Sequence, residues 1–71
     1  MSRTYPKLTG KPLIKILSVH GFEVSRIHGS HHFLKHNDGR RTVVPVHGSE
    51  MIGPGLLKKI LRDVDLEISQ L

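Results

Sequence analysis

Asn37-Asp38-Gly39 stands between two stretches of strand-like residues, and this turn constrains the fold more than any other feature of the chain. Asn, Asp and Gly tolerate positive φ, which a tight hairpin needs. The flanking segments, residues 31–36 and 41–46, then pair as antiparallel strands. The second of these is rich in β-branched side chains: Thr42, Val43, Val44 and Val46. Pro45 cannot donate to a ladder, so it marks a strand end or an edge. Upstream, Phe22 and Val24 alternate with Glu23 and Ser25, the pattern of a strand with one buried face. His28-Gly29-Ser30 makes the connection to the next strand. Three strands joined this way form an antiparallel meander.

Helical patterns bracket the meander. Thr9 is placed to cap a helix, and Pro12 is tolerated in its first turn because a missing N–H is unpaired there anyway. Leu13, Ile16, Leu17 and His20 then fall on one helical face, and Gly21 suits the position just past the end. The spacing predicts a helix over residues 10–20 with Lys11 and Lys15 on its exposed side. Residues 47–53 form a polar loop, and Pro54 starts a second helix. Its stripe is Leu56, Leu57, Ile60, Leu61 and Val64, with Lys58, Lys59 and Arg62 opposite. Residues 1–8 read as an extended lead-in, and residues 65–71 as a short tail with room for one helical turn. At 71 residues the chain is expected to be one domain, burying only about 60% of its unfolded surface. The expectation is an α+β fold of order α-β-β-β-α, with two helices on one face of the sheet and the other face open. That arrangement resembles the double-stranded-RNA-binding fold.

A formal net charge of +5 and a pI near 10.1 speak about partners. Nucleic acid or an acidic protein would be attracted. No apolar run approaches the roughly 20 residues of a membrane span. The first residues lack the apolar core of a signal peptide, and the chain has no cysteine to form a disulfide or a thiolate metal site. These features fit a cytoplasmic protein.

Gly29-Ser30-His31-His32 is the segment with most chemical potential. Histidine gives and takes protons near neutral pH. His31, Phe33 and Lys35 share one face of the strand, and His32, Leu34 and His36 share the other. Parity does not say which set meets solvent. For His31 the functional reading is general acid or base in RNA cleavage, within reach of a 2′-hydroxyl or a leaving oxygen. The bland reading is a surface histidine in a tight turn. His28, His31, His32, His36 and His47 are many histidines, but no cysteine and no helical HExxH pair accompanies them, so no metal is expected. The helix lysines have a bland reading as a solvated face. Their number, with few acids to offset them, favours phosphate contacts. Gly53 and Gly55 would also allow backbone to approach a phosphate at the start of the second helix.

The motifs become specific together. Ile16-Leu17-Ser18-Val19-His20-Gly21-Phe22 is followed by Gly29-Ser30-His31-His32, Asp38-Gly39-Arg40-Arg41, Val44-Pro45-Val46-His47 and Gly55-Leu56-Leu57-Lys58-Lys59-Ile60-Leu61. This ordered set, over residues 8–66, resembles the HicA (YcfA-like) toxins of HicA–HicB toxin–antitoxin modules. The resemblance implies an mRNA interferase: a metal-independent endoribonuclease without cofactor that uses one essential histidine. The Gly-Ser-His motif maps that histidine to His31, with His32 a second candidate and Gly29 and Ser30 in support. It also implies a HicB-like antitoxin that hides the active face. Lys11, Lys15, Lys35, Arg40, Lys58, Lys59 and Arg62 are the residues expected to bind RNA. Lys35, His47 and Ser30 are candidates to handle a second proton. Leu56 stands where many relatives carry Thr. Two other readings stay open: a non-catalytic RNA-binding module of the same fold, and a surface that serves an acidic protein.

Overall fold

The computed structural model describes residues 6–71, so the first part of the expected lead-in, residues 1–5, lies outside the described residues. The elements are α1 (Gly10–Val19), β1 (Glu23–His28), β2 (His31–Lys35), β3 (Arg41–Pro45) and α2 (Pro54–Val64), closed by a 3-10 turn at Ile68–Gln70. This is the expected α-β-β-β-α order. The strands lie β1-β2-β3 in one antiparallel sheet.

Each helix end has a local cause. Thr9 occupies the N-cap with extended backbone, but its side chain makes no capping hydrogen bond, contrary to expectation. The start of α1 is fixed by packing instead. A carbon added to Gly10 would lie 2.5 Å from the Pro45 carbonyl oxygen. At the other end, Phe22 N–H donates to Leu17 O and Gly21 N–H to Ser18 O, each over 3.1 Å. This is the Schellman pattern, and Gly21 supplies the positive φ it requires (+93°). α2 begins with Pro54, whose missing N–H costs nothing there. It ends at Asp65, a residue type that tolerates the left-handed φ of 55°.

Leu13 and Leu17 from α1 meet Leu57, Ile60, Leu61 and Val64 from α2 over Leu34 and Val44 of the sheet. Phe22 and Ile52 close the two ends of this core. Leu56 belongs to the apolar stripe in sequence but stays 37% exposed. Leu57, the next residue of the same turn, is fully buried, so Leu56 lies at the edge of the stripe and points away from the core. Buried Thr42 donates Oγ1 to Asp63 of α2 over 3.1 Å.

β1 departs most from expectation. It runs to His28, beyond the alternating segment, and all its residues are exposed. Of the anticipated buried face, Phe22 is buried in the core just before the strand, but Val24 is 39% exposed, because the helices pack mainly over β3 and not over this outer strand. The alternation stops at Ser25 because a bulge interrupts the pairing between Val24 and Arg26.

Both helices start at one end of the molecule. Thr9 bridges to Met51, and Ile52 N–H donates to Leu8 O over 2.7 Å. At the opposite end Arg40 of the β2–β3 turn donates to the Val64 carbonyl at the end of α2.

Gly10 tests this arrangement. In an open helix, Gly→Ala stabilises by about 0.5–1 kcal/mol. At Gly10 the added carbon meets backbone, and overpacking of that kind costs about 1–3 kcal/mol. Gly10→Ala is therefore expected to lower the thermal midpoint by several degrees. Gly55→Ala, with nothing within 4 Å of the added carbon, is expected to raise it. Thermal unfolding of the two variants checks the opposite signs.

Candidate active site on the open sheet face

Burial of Leu34 decides the parity left open by sequence. His31, Phe33 and Lys35 lie on the uncovered face, and His32 lies on the helix side with Leu34. His31 is exposed. His32 is half-buried, and its Nδ1 is buried with no hydrogen-bond partner.

Strand pairing then brings other side chains to His31's face. His28 and Pro45 flank His31, Arg26 and Val43 flank Phe33, and Glu23 and Arg41 flank Lys35. The bulge has a chemical consequence. Without it Ser25 would stand opposite Phe33; with it Arg26 does. The Arg26 guanidinium carbon sits 4.6 Å from the centre of the Phe33 ring, an exposed cation–π contact. The displaced Ser25 donates its hydroxyl to the Phe33 carbonyl over 3.1 Å. A depression of about 550 Å³ is lined by Arg26, Phe33, Lys35, Arg41 and Val43, but also by Ser25 and by Leu34, Thr42 and Asp63 of the helix side, so it is not confined to His31's face. Sequence reasoning missed Arg26 and Arg41 as site residues. Arg41 was legible, since the turn register sets it beside Lys35. Arg26 was not, since no residue pattern announces the bulge.

Gly29 and Ser30 make the two-residue turn that delivers His31. Gly29 takes a φ of +60°, as the first position of a type II′ turn requires. Ser30 Oγ lies 3.2 Å from His47 Nε2, so the loop after β3 returns to the Gly-Ser-His motif. Among the described residues no three His, Asp or Glu side chains converge in a way that could hold a metal ion.

The other expected RNA-binding residues are placed differently. Lys11, Lys15, Lys58, Lys59 and Arg62 are exposed on the helices, not on His31's face, and Lys59 pairs with Asp63 at 3.0 Å. Arg40 is committed to the fold. It pairs with Asp38 at 2.8 Å, caps the Val64 carbonyl and lies over the Phe22 ring at 5.1 Å. Its backbone N–H, more than its guanidinium, holds the Asp38 carboxyl below the usual range. Asp38 N–H in turn donates to His36 Nδ1 over 3.1 Å, and His36 meets Phe22 edge-on.

Charge is unequal between the two ends. Glu23, Asp38, Asp63, Asp65 and Glu67 all lie toward the β2–β3 turn and the end of α2. Glu50 is the one acidic residue in the loop at the His31 end. That end also carries the starts of both helices, whose dipoles favour anions.

A family described as the HicA toxin of bacterial toxin-antitoxin matches residues 10–66, from the first residue of α1 to just past α2. The chain belongs to the HicA toxin family. It is thus the toxin member of a toxin–antitoxin pair. No curated protein matches it. No helix of the described residues is long and apolar enough to cross a membrane.

Adjacent Arg40 and Arg41 point to opposite faces and should separate in stability. Arg40→Ala strands the Val64 carbonyl and removes the Asp38 pair. It is expected to cost about 1–3 kcal/mol in denaturant unfolding, with Arg41→Ala close to wild type. Asp38 adds an acid-side signature. Its folded pKa is lowered, so its contribution is present above the unfolded value of about 3.9 and is lost as pH falls through the folded value. Asp38→Asn should flatten that acid limb of stability.

Proposed function

We propose that the chain is an endoribonuclease that cuts mRNA on the open sheet face, with His31 as a proton-transfer residue and a HicB-like antitoxin as its inhibitor. The observation that carries this reading is the single face shared by His31, the Arg26–Phe33 stack, Lys35 and Arg41. RNA needs what that face offers. Cations neutralise phosphates, and an aromatic ring gives an unpaired base a stacking surface. An imidazole at the end of the track stands ready to move a proton.

RNA carries its own nucleophile. A base removes the 2′-hydroxyl proton, the 2′ oxygen attacks the adjacent phosphorus, and the bond to the 5′ oxygen breaks. The products are a 2′,3′-cyclic phosphate and a 5′-hydroxyl end. Nothing in this sequence of events calls for a metal or cofactor. Nearby cations favour it by stabilising negative charge that develops on the phosphate. Lys11, Lys15, Lys58, Lys59 and Arg62 act at longer range, steering RNA toward the protein through a field that fades over about 8 Å at physiological salt. The antitoxin works by covering His31's face. Acidic groups opposite Arg26, Lys35 and Arg41 speed its encounter, and apolar contact with Phe33 and Val43 slows its release.

His31→Ala is expected to abolish RNA cleavage in the presence of chelator and leave the thermal midpoint nearly unchanged. Retained cleavage in that variant, with loss in His32→Ala, would move the assignment to His32. Binding without cleavage by the wild type would favour the RNA-binding module. Arg41→Ala should weaken RNA binding across sequences and reduce the salt slope by about one. Binding insensitive to salt would contradict a phosphate track. In the antitoxin complex, amides of residues 29–33 should be protected from hydrogen exchange; an interface confined to the helices would refute the covering mechanism.

A further inference from the structure

Cleavage by internal attack moves two protons, one off the 2′-hydroxyl and one onto the departing 5′ oxygen. One imidazole serves one of these transfers as the bonds change. Among the three helpers that the sequence offers, Lys35 stands four residues along β2 from His31, about 13 Å away. Ser30 is adjacent, but a serine hydroxyl does not titrate near neutral pH. His47 is both adjacent and titratable. Its Nε2 lies 3.2 Å from Ser30 Oγ, and Ser30 directly precedes His31.

The backbone fixes this juxtaposition. Val46 N–H donates to Ser30 O over 2.7 Å, which carries the β2–β3 ladder one step past its last strand pair. His31 pairs with Pro45, so His47 takes the position diagonal to His31. Diagonal positions of antiparallel strands are about 7–8 Å apart, a span that two imidazoles with a phosphate between them can bridge. The intervening Val46 faces α1, since a carbon added to Gly10 would lie 2.8 Å from Val46 Cγ2. His47 follows Val46 beyond the end of β3, and its contact with Ser30 Oγ brings its ring back to the turn that delivers His31.

We propose that His47 is a second catalytic residue, the general acid that protonates the 5′ oxygen while His31 acts as general base. This deepens the endoribonuclease reading and rests on it. Ser30 suits the assignment because a hydroxyl either donates or accepts. It holds Nε2 in both protonation states and leaves Nδ1 to meet the substrate. An acid must arrive charged, and Ser30 Oγ is an acceptor for the Nε2–H of the charged ring. The step balances without a co-reactant. The 2′ proton passes to His31, the 2′ oxygen–phosphorus bond forms, the phosphorus–5′ oxygen bond breaks, and the 5′ oxygen takes its proton from His47. Solvent then returns both rings to their starting states.

The test compares a short RNA with the same RNA carrying sulfur in place of the 5′ oxygen at the scissile bond. A thiolate leaves without being protonated, so it needs no acid. His47→Ala is expected to cut ordinary RNA at least about 100-fold more slowly than wild type and the sulfur RNA within a few-fold of it. His31→Ala should stay slow on both. The alkaline decline of the wild-type rate, where the acid loses its proton, should be missing for His47→Ala on sulfur RNA. Thermal unfolding checks the fold, and His47→Gln replaces the alanine variant if that one unfolds. Wild-type rates in the His47 variants on ordinary RNA would overturn the proposal, and so would slow cleavage that the sulfur substrate does not restore. Wild-type protein inert on both RNAs would overturn the endoribonuclease reading itself, and this proposal with it.

Discussion

Burial of Leu34 beneath both helices is the constraint on which the rest depends. Side chains on a strand have a period of two, so one anchored residue fixes the direction of all its neighbours. With Leu34 in the core, Phe33 and His31 must face outward and His32 inward. A slip of one residue would bury His31 and Lys35 and leave Leu34 in water. Val44 reinforces the anchor on β3, and the tight Asn37-Asp38-Gly39 turn locks the two strands in register. The direction in which His31 points is thus set by packing on the opposite side of the sheet.

The two ends of the sheet divide the labour. The β2–β3 turn is a clasp in which Arg40 ties Asp38, the Phe22 ring and the last carbonyl of α2 together. Most carboxylates gather there, close to the arginines and lysine they offset. The other end holds Ser30, His31 and His47 with the starts of both helices and little acidic charge. A polyanion drawn to this protein meets less repulsion at the His31 end, without any cation having to point at His31 directly.

Much of this was legible in the sequence, for reasons that can be named. The turn, the two helical stripes and the glycine after α1 each encode a local geometry, so element order and sheet topology followed from them. The Gly-Ser-His motif stood out because its residues are adjacent. What escaped depended on contacts between distant segments. The exposure of β1 reflects where the helices lie, and Val24 carries no mark of it. Arg40 and Arg41 look alike as neighbours, and only parity with Lys35 separates the clasp from the open face. Arg26 reached Phe33 through a bulge at Ser25, a side chain that β1 could equally have placed in regular alternation. The Ser30–His47 contact joins residues 17 positions apart, and it became visible only when β3 was laid beside β2.

The doubled histidine makes sense in the same terms. Adjacent positions on a strand cannot serve one face, so His31 and His32 answer to different surroundings. His32 pairs with Val44 on the helix side, and its buried Nδ1 lacks a partner. An unpaired buried nitrogen is a cost to folding, of the order of 1–3 kcal/mol when a donor or acceptor is stranded. His31 bears no such cost at its exposed position. A small domain spends little stability on a functional group kept outside its core, and here the core needs only Leu34 and Val44 from β2 and β3. The open face is then free to carry charge, an aromatic ring and an imidazole that contribute little to folding. On the proposed reading this openness serves twice, since a face exposed to RNA is equally exposed to a partner that silences it by contact alone.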